Sequence, residues 1–432
     1  MKTGLKKALS AAAASSLILG CTACSSGQKD SGEFTPQLDA EKSVTLEIAG
    51  FFGNFEALDQ VENDFNELYP NVSFAYEQIG NSNIDEYLAS NPGTDIFMTT
   101  DENVRFPSIE DKYAADYCAD LTGLVDSGII LDDMLTICSV DGQLLRIPMS
   151  QNLNGIVVNV SLLEKEGLSV PQNYGEFKTV LAALKEKGYT PIQGPVDVVY
   201  SELVSPMMYN IIGHDEELQK ALSEGGEYAS EKLLPVFSEI YDIVSGGWSD
   251  YAVNETYPAD NYDQAILRFF EGDVPFWVCN TKKFSGMKKR ESKSEKFSAE
   301  PFEYQFMFAP TGENGVYEYR EPWYGFSVNK DSDAIDYAKE FLRFLATEPE
   351  LNKIAEIKGV PSITKNSSDE RYTAVRSVKN IEQSFTNTGA IKPHMTTYLV
   401  NTAKALANGE YSTPQEAADA FVALCSQVGS TD

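Results

Sequence analysis

Histidine is nearly absent from this 432-residue chain, where only His214 and His394 occur. Two imidazoles cannot build a multi-histidine zinc site, and they leave a histidine-based hydrolytic triad short of material. Of the six cysteines, Cys118, Cys138, Cys279 and Cys425 form neither a CxxC pair nor a ligand cluster. They lie on apolar runs, which predicts buried thiols, with a Cys118–Cys138 bridge left open. The chain also lacks a GxSxG elbow, a P-loop and a GxGxxG turn in strand–helix context. No cofactor and no metal are implied. Positive charge is scarce too, with 34 Lys and Arg against 65 Asp and Glu and a net charge of −31. Phosphate backbones would be repelled, which argues against nucleic acid. Carboxylates are so many that a glycosidase-type acid pair carries no information here.

What is present begins at the N-terminus. Lys2, Lys6 and Lys7 precede an apolar run, Ala8–Gly20, too short to span a bilayer as a mature helix. Ile18-Leu19-Gly20-Cys21 resembles a bacterial lipobox, with a small residue before the cysteine. Lipidation is therefore expected at Cys21, with Cys24 as the alternative. Residues 25–43 are polar and aperiodic and read as a flexible tether. Hydrophobic residues make up 42% and aromatics 11%, which marks a folded protein, and the length favours two lobes over one core.

The first part of the fold reads as alternating elements. Val44–Ala49 alternates like a strand; Leu58, Val61, Phe65 and Leu68 have helical spacing. Val72–Tyr76, a helix around Ile84–Leu88 and a strand at Asp95–Met98 follow. This β-α-β-α-β order predicts a parallel, doubly wound sheet, whose ligands sit beyond the carboxyl ends of strands. That rule points to Phe51-Phe52 and to Thr100-Asp101-Glu102.

The chain is organised around Asp141–Phe177. Asp141-Gly142 predicts a hairpin turn, and Leu144–Ile147 a short strand stopped by Pro148. Ser150–Gly155 reads as a polar loop, Ile156–Val158 as a strand, and Leu162–Glu166 as a helical turn closed by Gly167. The ordered set Asp141, Gly142, Pro148, Asn159, Leu162-Leu163, Gly167-Leu168, Pro171, Glu176 and Phe177 resembles the extracellular solute-binding proteins of ABC importers, of the sugar type. Two positions depart from that pattern: Val158 stands where a Tyr is usual, and Tyr174 where a Trp is usual. Further matches run over roughly 43–425, among them Asp120-Leu121-Thr122, Phe269–Gly272 and Gly359-Val360-Pro361.

The resemblance implies a two-lobed α/β fold like that of periplasmic binding proteins. Each lobe is expected to be a doubly wound sheet flanked by helices, with three crossings between lobes. The expected divisions are a signal peptide at 1–20, a tether at 21–42, the first lobe at 43–150 and the second at 151–300. A return to the first lobe is expected at 301–330, and 331–432 is expected to be mainly second-lobe and C-terminal helices. The implied function is capture of a mono- or oligosaccharide and delivery to a membrane permease. The protein is then a non-enzymatic monomer, held on the outer face of the membrane by lipid alone. A secreted glycan-active enzyme, or a binder of a polyamine or peptide, is the alternative. Sugar rings stack on aromatics and their hydroxyls need directed polar groups. The aromatic candidates are Phe51, Phe52, Tyr200, Trp323, Tyr324 and Tyr398; the polar ones are Asp101, Glu102, Asn152, Asn154, Glu202 and Thr281. Trp277, flanked by Phe276 and Val278, is expected in the core.

Overall fold

The β-branched and apolar alternation of Val44–Gly50 makes it a strand, β1, with Leu46 and Ile48 buried. Helix α1, Glu56–Leu68, follows and packs Ala57, Leu58, Val61 and Phe65 inward. Strand β2, Val72–Gln78, helix α2, Ile84–Ser90, and strand β3, Ile96–Thr99, complete the first run. Both β2 and β3 pair parallel with β1, as the alternating order predicts. The computed structural model describes residues 34–53, 55–80, 84–100, 117–257, 262–387 and 389–429. From Pro36 onward the chain forms one compact unit.

A small hairpin joins β4, Ser139–Val140, to β5, Gln143–Leu144. Its turn residues Asp141 and Gly142 have φ of 50° and 82°. Two successive left-handed residues give the turn whose twist matches a hairpin, and Asp and Gly tolerate them best.

The next strand, β6, runs Ile147–Asn159 without interruption. The sequence reading expects a stop at Pro148 and a polar loop at Ser150–Gly155; neither occurs. The reason is tertiary. The first half of β6 pairs antiparallel with Arg320–Phe326, and the second half pairs with strands on both sides. Ladder bonds hold the backbone extended, while buried polar side chains find partners from elsewhere in the chain. Gln151 Nε2 donates to Ser362 O at 2.6 Å, and Asn152 Nδ2 to Glu321 Oε1 at 2.8 Å.

The second lobe is built on the far half of β6 and on β7, Ile192–Gln193, β8, Phe276–Asn280, and β9, Tyr304–Met307. Helices α3, Tyr174–Glu186, α4, Val199–Gly213, and α5, Glu227–Ser245, pack over it. Strand β10, Val316–Val328, returns alongside β6 and ends against β3 in the first lobe. The hydrogen-bonded order is β2-β1-β3-β10-β6-β8-β7, with β9 on β6. Each lobe thus carries its own sheet, and the long crossing strands β6 and β10 join the two lobes.

After residue 330 the chain does not go directly to the second lobe. Ile335–Leu345 and helix α6, Glu348–Lys358, pack against α1 of the first lobe. The third crossing follows at Gly359, and Glu370–Tyr372 already lies against β9. Strand β11, Ile381–Thr386, pairs parallel with the second-lobe part of β10. Helices α7, Pro393–Ala407, and α8, Pro414–Gly429, close on α5.

Trp277 is fully buried, as its apolar neighbours predict. The four described cysteines are buried and carry no disulfide, so the Cys118–Cys138 bridge is not formed. Burial pushes the Cys118 and Cys425 thiols up to about 12, which makes them inert. Among the described residues, no helix is long and apolar enough to cross a membrane, and no group of three or more His, Cys, Asp or Glu could hold a metal ion.

Candidate functional site

The two crossing strands carry the candidate site. β10 is irregular at its midpoint: Pro322 pairs with Gln151 and Tyr324 with Ser150, and the register shifts between Pro322 and Tyr324. Trp323 is the residue at the bulge. A bulge bends its strand and re-aims the side chain at that position. The Trp323 ring meets Phe52 edge-on at 5.7 Å and Tyr324 at 5.3 Å. Phe52, just past the carboxyl end of β1, also meets Phe55 at 5.0 Å and Tyr324 at 5.2 Å. Its backbone N–H donates to, and its C=O accepts from, the Tyr76 hydroxyl. Trp323 and Phe52 are half-buried, whereas Tyr324 is wholly buried beneath them.

Beside this aromatic cluster lies a polar network. Glu321 accepts from Asn152 Nδ2 at 2.8 Å and from the Tyr319 hydroxyl at 3.2 Å, and Lys282 Nζ stands 3.8 Å away. Thr281 Oγ1 accepts from Leu153 N and donates to Asn152 Oδ1 at 3.3 Å. Asn154 Nδ2 donates to Ser205 Oγ at 3.0 Å, and Asn280 Nδ2 to Glu202 Oε1 at 3.0 Å. Burial pushes the Glu202 carboxyl above its usual range, against the opposing pull of Lys283 at 3.4 Å.

Two cavities open here and share Lys282. One, of about 410 Å³, is lined by Asn152, Asn154, Asn280, Glu321, Tyr209 and Thr396 among others. The other, of about 570 Å³, is lined by Trp323, by Glu56 and Ala57 of α1, by Lys358 of α6, and by second-lobe residues from Ile266 to Arg290. The Lys358 ammonium sits 3.6 Å from the Phe52 ring centroid and 5.0 Å from that of Phe55. Burial, together with repulsion from Lys289, pushes Lys358 down to about 8.

The structure brings Phe52, Trp323, Tyr324, Asn152, Asn154, Glu202 and Thr281 into this neighbourhood. Phe51 follows β1 half-buried and lines neither cavity. Tyr200 is not in the cleft: it is a core residue, 2% exposed, stacked on Tyr251 and bonded to Asn254. Its place on the inward face of an apolar helix outweighs its polar tip. Tyr398 also lines neither cavity; it packs against His394 and the second-lobe core. Asp101, Glu102, Cys21 and Cys24 lie outside the described residues. Sequence reasoning missed the hydroxyl and amide donors Tyr209, Tyr319, Asn280 and Thr396, and all the cations. One cue was in view: Lys282, Lys283, Lys288, Lys289 and Arg290 crowd into nine positions of an acidic chain.

The geometry is a cleft between two lobes that share long crossing strands, with polar donors and aromatics at the crossing. The model of the bacterial extracellular solute-binding protein family matches residues 53–350. The chain belongs to that family. Solved structures agree in fold. The sugar-binding protein MalE from Xanthomonas citri superposes with a TM-score of 0.71 at 14% identity, covering 90% of this chain and 98% of the other. A sugar transporter from Bacillus licheniformis in complex with stachyose gives 0.61 at 19% identity, covering 89% and 100%. RafE in complex with raffinose gives 0.65 at 15% identity, covering 90% and 100%. No curated protein matches this sequence.

Proposed function

We propose that this solute-binding protein captures a mono- or oligosaccharide in the cleft between its lobes and delivers it to the permease of an ABC importer. The observation that carries the reading is the juxtaposition of Trp323, on the bulge of a crossing strand, with the amide-rich cavity at Asn152, Asn154 and Asn280. A half-buried indole offers an apolar face to sugar C–H groups, and convergent amides and hydroxyls suit sugar hydroxyls. The stachyose and raffinose complexes of structural neighbours support the same class of ligand. In this reading Trp323, Phe52, Asn152 and Asn154 contact the sugar. Tyr324, Thr281 and Glu202 hold those residues in place. Binding draws the lobes together about the crossings, and no covalent chemistry follows.

The N-terminal pattern supports lipid attachment at Cys21, on the outer face of the membrane. Calorimetric titration with raffinose, stachyose and chitin oligosaccharides tests the reading. Saturable one-to-one binding with the sugar recovered intact is the expected result. Cleavage of any glycosidic bond refutes it in favour of an enzyme.

A further inference from the structure

The larger cavity is strongly cationic in a chain whose net charge is −31. Five cations line it, namely Lys282, Lys283, Lys289, Arg290 and Lys358, and Glu56 is the one carboxylate among its described lining residues. Three of the five have acidic neighbours. Lys282 stands 3.8 Å from Glu321, Lys283 3.4 Å from Glu202, and Arg290 pairs with Asp263. Lys289 and Lys358 do not: among the described residues, no carboxylate lies within 4.0 Å of either. Both line the same cavity, and repulsion from Lys289 adds to burial in lowering Lys358. Lys358 is moreover drawn off solvent onto the faces of Phe52 and Phe55. Holding two like charges together, one of them half-buried, costs folding free energy. Uncompensated charge of one sign lining a cavity marks a place where charge of the other sign arrives.

We infer that the saccharide is acidic. It carries an anionic substituent, either a carboxylate or a sulfate or phosphate ester, on the part that lies between Lys289 and Lys358. Its neutral rings extend past Lys282 toward Asn152 and Asn154. This rests on the saccharide reading of the same cleft and narrows it. The acid supplies the counter-charge that these two lysines lack, through charge-assisted hydrogen bonds, while Trp323 covers a ring face. The two cavities meet at Lys282, so an oligosaccharide reaches both.

Titration calorimetry with trigalacturonate and with its fully methyl-esterified form, which has the same rings without charge, tests the inference. The acid is expected to bind at least about tenfold more tightly than the ester, with the gap shrinking as ionic strength rises from about 0.05 M to about 0.5 M. Lys289→Gln and Lys358→Gln should each remove most of the gap, weakening the acid far more than the ester. Lys289 is exposed, so its variant folds even if that of Lys358 does not. A sulfated disaccharide that binds where trigalacturonate does not assigns the anion to a sulfate ester and supports the inference equally. Equal affinity for acid and ester overturns it and leaves the saccharide reading standing. An equal loss for both ligands in the lysine variants also overturns it, because the lysines then serve lobe closure alone. Binding of no sugar in either form overturns both.

Discussion

Replacing Trp323 by Ala separates a ligand-facing indole from a packing one. In the free protein the ring is half-buried and makes two edge-on contacts, with Phe52 at 5.7 Å and Tyr324 at 5.3 Å. Each such pair contributes about 0.5–1.5 kcal/mol beyond area burial, so the fold should lose about 1–3 kcal/mol. At about 2–4 °C per kcal/mol for a large domain, the melting temperature then falls by roughly 2–12 °C. A bound sugar covers the remaining face, and truncating a central aromatic contact costs about 2–4 kcal/mol of binding. At about 1.4 kcal/mol per decade, affinity falls roughly 30-fold or more. Calorimetry beside thermal melting reads both quantities. If the variant unfolds while its folded fraction binds normally, the indole is core and the cleft is misplaced. If neither quantity moves, Trp323 is an idle surface residue, and the aromatic contact must be sought at Phe52.

Gly325→Ala should lower the urea midpoint, because a Cβ there would lie 2.4 Å from Ile147 O and 2.6 Å from Arg146 Cγ. Overpacking of this kind costs about 1–3 kcal/mol, and an unchanged midpoint would mean the crossing strands separate freely. Glu62 is pushed up to about 7 by burial and then by Asp59, from an ordinary 4.5. Its contribution is fully present below pH 4.5 and is lost as pH rises through 7. Denaturation at a series of pH values should show wild-type stability falling relative to Glu62→Gln across that window. Small-angle scattering with a saturating sugar should give a smaller radius of gyration, and an unchanged radius with binding confirmed would refute lobe closure. Labelling in cells with an acyl probe should tag the wild type but not Cys21→Ala; persistent label would move the site to Cys24.

Periodic stretches revealed their structure in the sequence because local patterning fixes them. The spacing of Leu58, Val61 and Phe65 is that of a helix buried on one face, and the strand–helix alternation before residue 100 leaves a parallel sheet as the solution. Trp277, between Phe276 and Val278, was expected in the core and is there. Asn152 and Trp323 were named as candidates from motifs that occur in a fixed order along the chain, but that both lie inside long strands was not legible. Other features depended on partners distant in sequence. Ser150–Gly155 has the composition of a loop, yet it is strand because β10, β8 and β9 supply its hydrogen bonds. Tyr200 and Trp323 are both large amphipathic rings, and only packing sends one to the core and the other to a cavity. The charge of the cleft was hidden most completely. The overall composition is acidic, and Lys358 comes from a helix of the first lobe while Lys289 comes from the second. Composition sums charge over the whole chain, whereas a ligand meets only the few side chains that the fold turns toward one cavity.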